Sequence, residues 1–458
     1  MTRCRHVPRT SVHRAAAAAL ANLRRGIVRS VPGPLAHLTI LDLSRVLAGP
    51  WCTQLLADLG ATVLKIERPG SGDDTRAWGP PFLPHRDGSD TRESAYYLAC
   101  NRGKRSIAID FTRAEGRDLV RALAAQSDAL IENFKVGGLA KYGLDYASLA
   151  PSNPRLVYAS ISGFGQTGPY AAHAGYDFIV QGMSGFMSVT GERDDRPGGG
   201  PQKAGVAITD LMTGMYASVA ILAALAHRDR TGEGQWIDAC LFDSSVAMMA
   251  VIDMNYLVSG AVPSRAGNAH QNIVPYQAFV CADAQHLILA IGNDGQFRAF
   301  CAIAGTPGWS ADPRFATNAA RVRNREILVP MVDALMRTRT QREWLAAFEP
   351  AGIPSGPINR IDQVFADPQV HSRAMRLDLA HPLSGTVPQV RTPLGLSATP
   401  LAYDRAPPLL GADTADVLRE RLGLAEPELC DLASRGVIGL GAPDVRATDA
   451  CVGREPAR

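Results

Sequence analysis

The chain has 458 residues, 46% hydrophobic and 20% charged, which is typical of a folded globular enzyme and longer than one compact core usually holds. Seven arginines and no acidic residue fall within residues 1–35. The rest of the chain therefore holds 40 of the 47 basic residues and all 44 acidic ones. This charge balance excludes a nucleic-acid-binding protein whose folded body is basic. The eight cysteines include no CxxC pair and so give no zinc-ligand pattern, and no apolar run approaches the roughly 18 residues of a membrane span.

Residues 1–35 form a leader that is rich in arginine and alanine. This composition is typical of a mitochondrial transit peptide, but an unstructured bacterial extension has it too. We therefore expect a disordered or targeting leader. If the leader is a bacterial extension, we expect a cytoplasmic protein. If it is a transit peptide, we expect a protein of the mitochondrial matrix. Residues 441–458 have little to pack and are predicted to be a disordered tail.

From residue 36 to 250, short apolar runs alternate with helical segments. The predicted strands are 38–43, 61–66, 106–110, 129–132 and 156–162. The predicted helices are one that ends at Leu59, 115–126 and 211–227. Such alternation predicts a doubly wound, mostly parallel sheet with helices on both faces, which is an α/β, Rossmann-like large domain that binds the cofactor.

The pattern changes after residue 250. Predicted strands at 275–280 and 286–291, a helix at 296–304 and helical periodicity over 325–348 indicate a smaller α+β domain at residues 251–375. Residues 376–440 are predicted to return to the large domain. They are proline-rich between 381 and 410 and end in two helices, near 414–422 and 426–435.

The segment GFGQTG (163–168) matches the G-x-G-x-x-G spacing of dinucleotide-binding proteins. That fingerprint also needs a helix that opens at the third glycine, so that its N-terminus faces the pyrophosphate. Pro169 and Tyr170 follow instead. We interpret the segment as a glycine-rich turn that lets the backbone approach a neighbour closely, and expect no nicotinamide or flavin.

Many spaced blocks between residues 36 and 435 resemble the class III coenzyme A (CoA) transferases of the CaiB/BaiF type. They include LDLSRVLAGP (41–50), NRGKRSIAID (101–110), IENF (131–134), SISGFGQTGPY (160–170), AGYD (174–177), VAITDLMTGMYA (206–217) and TGEGQWIDACLFD (231–243). Three further blocks resemble the members that transfer CoA from succinyl-CoA to glutarate and related dicarboxylates. These blocks are ERPGSGDDTRAWGPPF (67–82), NIVPYQAF (272–279) and GIPSGPINRIDQVFADPQV (352–370).

The resemblance implies that Asp210 is the catalytic residue. By itself, an aspartate beside a helical run is more simply a helix N-cap. The two roles are compatible, because a helix N-terminus favours the ionised carboxylate that a nucleophile needs. The implied reaction passes through an aspartyl anhydride and an aspartyl-CoA thioester and needs no metal. The backbone of residues 163–168 is a candidate source of hydrogen bonds to the oxyanion.

The resemblance also implies contacts to CoA. Arg68, Asn133, Phe134 and Tyr176 match family positions that contact the cofactor, and Arg45, Lys104, Arg105 and Lys141 are basic residues in or beside the blocks. Arg68 follows a predicted parallel strand, where such sheets bind ligands. For Arg45 and Arg105 a solvated surface charge is an equal alternative, and Phe134 fits a core position. His270 stands where formyl-CoA transferase, a member of the family, has a run of glycines, which argues against formate and oxalate as the acids. His270 could orient a substrate carboxylate or simply pack in its loop.

Two other functions stay open. A 2-methylacyl-CoA racemase shares the fold but needs a histidine where this chain has Tyr176, whose ordinary pKa near 10 suits proton abstraction poorly. A catalytically inactive CoA-binding protein is the other alternative. The resemblance further implies an interlocked homodimer whose ligands are an acyl-CoA and a carboxylic acid, without nucleic acid or membrane.

Overall fold

The computed structural model describes residues 32–441. Almost all of the predicted leader and of the predicted tail lies outside these residues. The described chain forms two compact units. The first comprises the chain up to Val180, Ala207–Met248 and the chain from Ala374 onward, and the second comprises Gln181–Val206 and Met249–Arg373.

The strands, in chain order, are β1 (Thr39–Asp42), β2 (Thr62–Glu67), β3 (Phe82–Pro84), β4 (Asp90–Ser94), β5 (Lys104–Ile109), β6 (Ala129–Glu132), β7 (Val157–Ser162), β8 (Trp236–Cys240), β9 (Tyr276–Val280), β10 (His286–Ala290), β11 (Ser355–Pro357), β12 (Arg376–His381), β13 (Gly385–Val390) and β14 (Ile438–Gly439). Each strand predicted from the sequence is present within one or two residues of its predicted bounds.

The helices are α1 (Ala48–Asp58), α2 (Ala95–Cys100), α3 (Ala114–Ala125), α4 (Tyr146–Leu149), α5 (Asp177–Met183), α6 (Phe186–Val189), α7 (Ile208–Thr231), α8 (Leu241–Met249), α9 (Val251–Ser259), α10 (Asp294–Ile303), α11 (Pro307–Ala311), α12 (Asn318–Arg323), α13 (Arg325–Met336), α14 (Gln341–Phe348), α15 (Ile361–Ala366), α16 (Pro368–Ser372), α17 (Thr414–Leu422) and α18 (Glu426–Ser434). Short 3₁₀ turns cover Asp74–Ala77, Ala140–Tyr142 and Glu349–Ala351.

The first unit is built on a seven-stranded sheet in the order β14-β5-β2-β1-β6-β7-β8. Neighbouring strands are parallel, except that the edge strand β14 runs antiparallel to β5. Successive residues of β1 pack into different apolar clusters, Ile40 into one and Leu41 into the other. Since alternate side chains point to opposite faces, both faces of the sheet are covered. The predicted α/β class is confirmed.

The second unit has a three-stranded antiparallel sheet, β11-β10-β9. Its core contains Phe279, Leu287, Phe300 and Trp344, which come from two strands and two of the helices that follow. Residues 181–206, which the sequence placed in the large domain, belong to this unit, where Arg193 forms a 3.0 Å ion pair with Glu326. That pairing joins residues far apart in the chain and leaves no local pattern in the sequence.

Helix α7 is 24 residues long and apolar enough by length and composition to cross a membrane, and α8 with α9 meets the same test only if the two count as one span. The sequence predicted this helix at 211–227 but not as a long apolar run, because Asp210 and several small polar residues interrupt its apolar residues. In the first unit α7 packs against α1, β7 and β8. The core helix of a globular protein has the same composition, so one such helix is weak evidence for a membrane.

Candidate active site

A cavity of about 350 Å³ lies at the carboxyl ends of β1, β2, β5 and β6. In the strand order, β2 and β6 flank β1 on opposite sides, so the chain reverses its direction across the sheet here. Parallel sheets bind ligands at such points. Four of the predicted CoA contacts, Arg45, Arg68, Phe134 and Lys141, line this cavity.

Asn133 holds one wall of the cavity in place. The Arg45 backbone N–H donates to Asn133 Oδ1 over 2.9 Å, and Asn133 Nδ2 donates to the Arg45 carbonyl over 2.6 Å. The Arg45 guanidinium lies 5.1 Å from the centre of the Phe134 ring and pairs with Asp74 at 2.8 Å. Asn133 therefore orients Arg45, and Phe134 presents part of its ring to the cavity.

Three cations of the cavity lack a carboxylate partner. Among residues 32–441, Arg68, Lys135 and Lys141 form no ion pair, and all three are exposed. Unpaired cations around a concave site attract phosphate groups. Sequence reasoning missed Lys135, although it directly follows the IENF block that supplied Asn133 and Phe134.

Buried ion pairs support the cavity from beneath. Lys65 pairs with Asp73 at 2.9 Å and Lys104 with Asp42 at 3.0 Å, all four side chains being fully buried. Burial alone would raise the pKa of Asp42, but Lys104 and Lys65 lower it to about 2. Lys104, which the sequence made a candidate for CoA binding, is thus the ion-pair partner of Asp42 inside the core.

Two predicted CoA contacts lie apart from the residues that line this cavity. The Arg105 guanidinium pairs with Asp413 at 3.3 Å and with Glu420 at 2.7 Å. Tyr176 is 63% exposed and immediately precedes α5. Its neighbour in the sequence, Asp177, accepts a hydrogen bond from Thr209 in the first turn of α7.

Asp210 is the third residue of α7, in its first turn, whereas the sequence placed it before the helix. The N-cap is Ala207, which offers no side-chain hydrogen bond. Asp177, which lies outside the helix, accepts the hydrogen bonds at its N-terminus instead. Its Oδ1 accepts from the Thr209 backbone N–H at 2.8 Å and from Thr209 Oγ1 at 2.6 Å. The N-cap interpretation of Asp210 is therefore wrong.

The pKa of Asp210 is raised to about 7, first by burial and then by the negative charge of Asp177. The sequence predicted the opposite, a carboxylate that the helix N-terminus keeps ionised. The first reason for the difference is that Asp210 is largely buried, and the second is that Asp177, which already accepts the free N–H of Thr209, adds a like charge beside it. Asp210 is thus a carboxyl group of unusually high proton affinity for an aspartate.

Tyr96 is a further member of this site that sequence reasoning missed. Burial and then the charge of Asp210 raise its pKa to about 12, and its ring makes an edge contact with Trp78 at 5.2 Å. A half-buried phenol that stays protonated can donate a hydrogen bond to an oxyanion. Its position in the sequence gave no sign of this role, because Tyr96 and Asp210 are 114 positions apart.

The glycine-rich turn is a tight backbone contact. A Cβ atom on Gly163 would lie 2.5 Å from the Cα of Gly175, so both positions need glycine. No helix opens at Gly168, in keeping with the exclusion of a dinucleotide fingerprint. The N–H groups of Gly165 and Gln166 donate to Ser162 Oγ and to Asp238 Oδ2 of β8, each at 2.9 Å, and therefore already have acceptors within the protein.

Within the described part of the chain, no group of three or more His, Cys, Asp or Glu side chains is placed to hold a metal ion.

The fold and this cavity are those of an α/β enzyme with a ligand site at the carboxyl edge of a parallel sheet. A model of CoA-transferase family III matches residues 35–414. The chain belongs to this family and is a CoA-transferase.

Relatives and solved structures agree with this assignment. The chain is 54% identical to a succinate–glutarate CoA-transferase of Agrobacterium fabrum over 387 residues, 84% of this chain and 95% of that protein. It is 41% identical to the succinyl-CoA:glutarate CoA-transferase of Homo sapiens over 405 residues, 88% of this chain and 90% of that protein. A crystal structure of a CAIB/BAIF family protein from Brucella suis is 49% identical, with a TM-score of 0.75 over 85% of this chain and all of that one.

Proposed function

We propose that this enzyme transfers CoA from succinyl-CoA to glutarate or a dicarboxylic acid of similar length, with Asp210 as a covalent relay. The observation that carries the proposal is the place of Asp210 in a chain that matches the family: it lies in the first turn of α7, next to Thr209, which Asp177 holds through hydrogen bonds. Burial and then the charge of Asp177 raise the pKa of Asp210 to about 7. A basic carboxylate is a better nucleophile than an ordinary one, provided that it is ionised. The names of relatives at 54% and 41% identity support the choice of acids.

The reaction needs four acyl-transfer steps. The Asp210 carboxylate attacks the succinyl thioester, which forms a mixed anhydride and releases CoA as a thiolate. The thiolate attacks the aspartyl carbonyl, which forms an aspartyl-CoA thioester and releases succinate. Glutarate then attacks this thioester to form a second anhydride, and the thiolate attacks the glutaryl carbonyl to release glutaryl-CoA and the free carboxylate. Every step exchanges one activated acyl group for another, so no external energy source is required.

The 350 Å³ cavity is proposed to bind the nucleotide end of CoA. Arg68, Lys135 and Lys141 lie around it without carboxylate partners, and their charges suit phosphate groups. Arg45 is held by Asn133, and the ring of Phe134 offers a face for a base. We assign Arg105 no contact because Asp413 and Glu420 already use its guanidinium.

We further propose a cytoplasmic homodimer, in which the two chains interlock as the family resemblance implies. Support for a partner comes from the second unit, where Leu257, Val258 and Val262 are 70%, 78% and 81% exposed. Neighbouring apolar side chains with this exposure favour burial against another chain. Light scattering of the full chain tests the dimer, and a monomer at working concentration would contradict it.

The test of the function is a transfer assay with matched variants. Wild-type enzyme, succinyl-CoA and glutarate should yield glutaryl-CoA and succinate in equal amounts, detected by mass spectrometry. Asp210→Ala should abolish the exchange, while Asp229→Ala, at the exposed far end of the same helix, should retain it. Full turnover by Asp210→Ala would contradict the relay. Deuterium uptake into a 2-methylacyl-CoA without acyl exchange would favour the racemase.

A further inference from the structure

Glu132 is a buried carboxyl group that none of the steps proposed above uses. It is the last residue of β6 and is 7% exposed. Directly after it come Asn133, which holds the wall of the 350 Å³ cavity, and Phe134, which lines that cavity. A carboxyl group is rarely buried without partners, so its partners indicate its role.

No cation neutralises Glu132. Across residues 32–441 it takes part in no ion pair, whereas the buried Asp42 carboxylate pairs with Lys104. Burial raises the pKa of Glu132 to about 7, and hydrogen bonds from Ser160 and from the Phe134 backbone oppose this shift only in part. The carboxyl group therefore serves as a hydrogen-bond acceptor at this position, without an ion pair.

The partners of Glu132 are neutral donors on neighbouring parts of the first unit. The Phe134 backbone N–H donates to Glu132 Oε2 at 2.8 Å. The hydroxyl group of Ser160, which lies opposite Glu132 on β7, forms a second hydrogen bond with the carboxyl group. Ser160 Oγ in turn accepts from Trp236 Nε1 of β8 at 3.0 Å. Since Trp236 supplies this proton, the Ser160 hydroxyl can donate its own to Glu132.

These hydrogen bonds connect the segment after β6 to the end of the sheet. Glu132 and Ser160 are partners in the pairing of β6 with β7, and Ser160 is 3% exposed, so this side of the network is rigid. Phe134 lies beyond the last residue of β6, and its N–H is bonded to the Glu132 side chain. The carboxyl group thus fixes the point at which the chain leaves the sheet.

The segment that Glu132 fixes supplies several of the groups proposed to contact CoA. Asn133 exchanges two hydrogen bonds with the Arg45 backbone, and the Phe134 ring lies 5.1 Å from the Arg45 guanidinium. Lys135 lines the 350 Å³ cavity and also a second cavity of about 290 Å³, which Glu132 lines as well. A shift of the Phe134 backbone would therefore move both of its neighbours and, through Asn133, also Arg45.

We propose that Glu132 is a positioning residue for CoA. Through the Phe134 N–H it holds residues 133–135 where these side chains, and Arg45 with them, can contact the nucleotide end of CoA. The inference rests on the proposed binding of CoA in the 350 Å³ cavity. Glu132 acts on the affinity for succinyl-CoA and takes no part in the chemical steps at Asp210.

The test separates KM from kcat in the transfer of CoA from succinyl-CoA to glutarate. Glu132→Leu removes both acceptor oxygens, so the Phe134 N–H loses its partner. The KM for succinyl-CoA should rise roughly 10- to 100-fold, since a hydrogen bond to a charged group is worth that much, while kcat should change less than about twofold. Glu132→Gln keeps an acceptor oxygen and should raise KM by less than about fivefold.

Asp145→Asn is the matched control. Asp145 lines the same 290 Å³ cavity as Glu132, but its carboxylate accepts from Ser148 of α4 and has no bond to residues 133–135. This variant should keep the wild-type KM.

The outcomes separate this inference from the proposed function. No thioester product with wild-type enzyme would refute transfer to glutarate itself. If neither Arg68→Gln nor Glu132→Leu changes KM, the cavity does not bind CoA and the inference fails with it. If Arg68→Gln raises KM while Glu132→Leu leaves it unchanged or lowers only kcat, CoA binding stands and the positioning role is overturned.

Two further results decide the role of the acceptor oxygen. An equally large rise of KM in Glu132→Leu and Glu132→Gln would overturn the inference, because the oxygen kept by glutamine should restore binding. If Glu132→Leu does not fold, Ser160→Ala decides. It removes one donor to the carboxyl group and should raise KM about threefold, and an unchanged KM would overturn the inference.

Discussion

The substitution Asp177→Asn should make Asp210 more acidic while it preserves the local structure. Asp177 accepts two hydrogen bonds from Thr209 through one oxygen, Oδ1, and the asparagine side chain has a carbonyl oxygen that can accept both. The change therefore removes the negative charge beside Asp210 and keeps the hydrogen bonds to the start of α7. Burial, the larger cause of the raised pKa of Asp210, stays as it is.

The expected shift is modest in pKa and clear in rate. Asp210 starts from a pKa of about 7. Removal of a neighbouring like charge should lower this pKa by roughly 1 unit, or about 1.4 kcal/mol. At pH 6 the ionised fraction of Asp210 would then rise from about 10% to about 50%. Since only the carboxylate can attack the thioester, kcat/KM at pH 6 should increase by up to about fivefold. At pH 8.5, where Asp210 is ionised in both enzymes, the variant should not exceed the wild type, because its carboxylate is the less basic nucleophile.

The assay is the pH dependence of kcat/KM for succinyl-CoA, which reports the ionisation of the free enzyme. For the wild type we expect activity to rise with pH through about 7, and for Asp177→Asn the same rise centred about one unit lower. Asp229→Asn, at the far end of α7, is the matched control and should follow the wild-type profile. If the activity of Asp177→Asn rises through the same pH as that of the wild type, the charge of Asp177 does not act on the pKa of Asp210, and the reasoning is refuted.

Three further results are expected. Asp210→Asn should be more stable than the wild type by about 1–3 kcal/mol at pH 8. The reason is that the folded-state pKa of Asp210 is raised, so its ionisation destabilises the fold at any pH above the pKa of the unfolded chain, and the gain in the free energy of unfolding should shrink as the pH falls towards 4. An equal gain at both pH values would contradict this prediction. Arg68→Gln should raise the KM for succinyl-CoA about tenfold, and by less at high salt, because salt screens the contact with phosphate. Arg105→Gln is the control and should change this KM less than about twofold. Equal effects of the two substitutions would argue against nucleotide binding in this cavity. Lys104→Met leaves the Asp42 carboxylate without its ion-pair partner in the core and should cost about 3–5 kcal/mol in urea unfolding, and a loss below about 1 kcal/mol would contradict the role of this pair.

The sequence predicted the parallel sheet well because its central strands are buried on both faces and appear as apolar runs, as Thr39–Asp42 and Ala129–Glu132 do. It missed the edge strands. Trp236–Cys240 is partly exposed along most of its length, and Ile438–Gly439 is only two residues long. Such segments lack a local signal, since their pairing is decided by the strand they join.

The sequence predicted residues that share one cavity, and their role in binding CoA stays a prediction; it did not predict the electrostatics of the site. Arg45, Arg68, Phe134 and Lys141 line one cavity, as expected for residues that follow parallel strands. The raised pKa of Asp210 depends first on burial in the folded chain and then on Asp177, 33 positions earlier, so the local sequence could not predict it. The sequence favoured Arg68 over Arg105, but it could not show that Arg105 and Lys104 have carboxylate partners, because those partners lie far away in the chain and meet them only in the fold.

The most direct test of the relay follows the oxygen atoms. When CoA attacks the glutaryl carbonyl of the second anhydride, the bridging oxygen that came from glutarate stays on Asp210. Turnover with glutarate labelled by ¹⁸O in its carboxylates should therefore add ¹⁸O to the peptide that contains Asp210, and in later cycles to the succinate released. If glutaryl-CoA accumulates over many turnovers while this peptide keeps only ¹⁶O, Asp210 does not carry the acyl group.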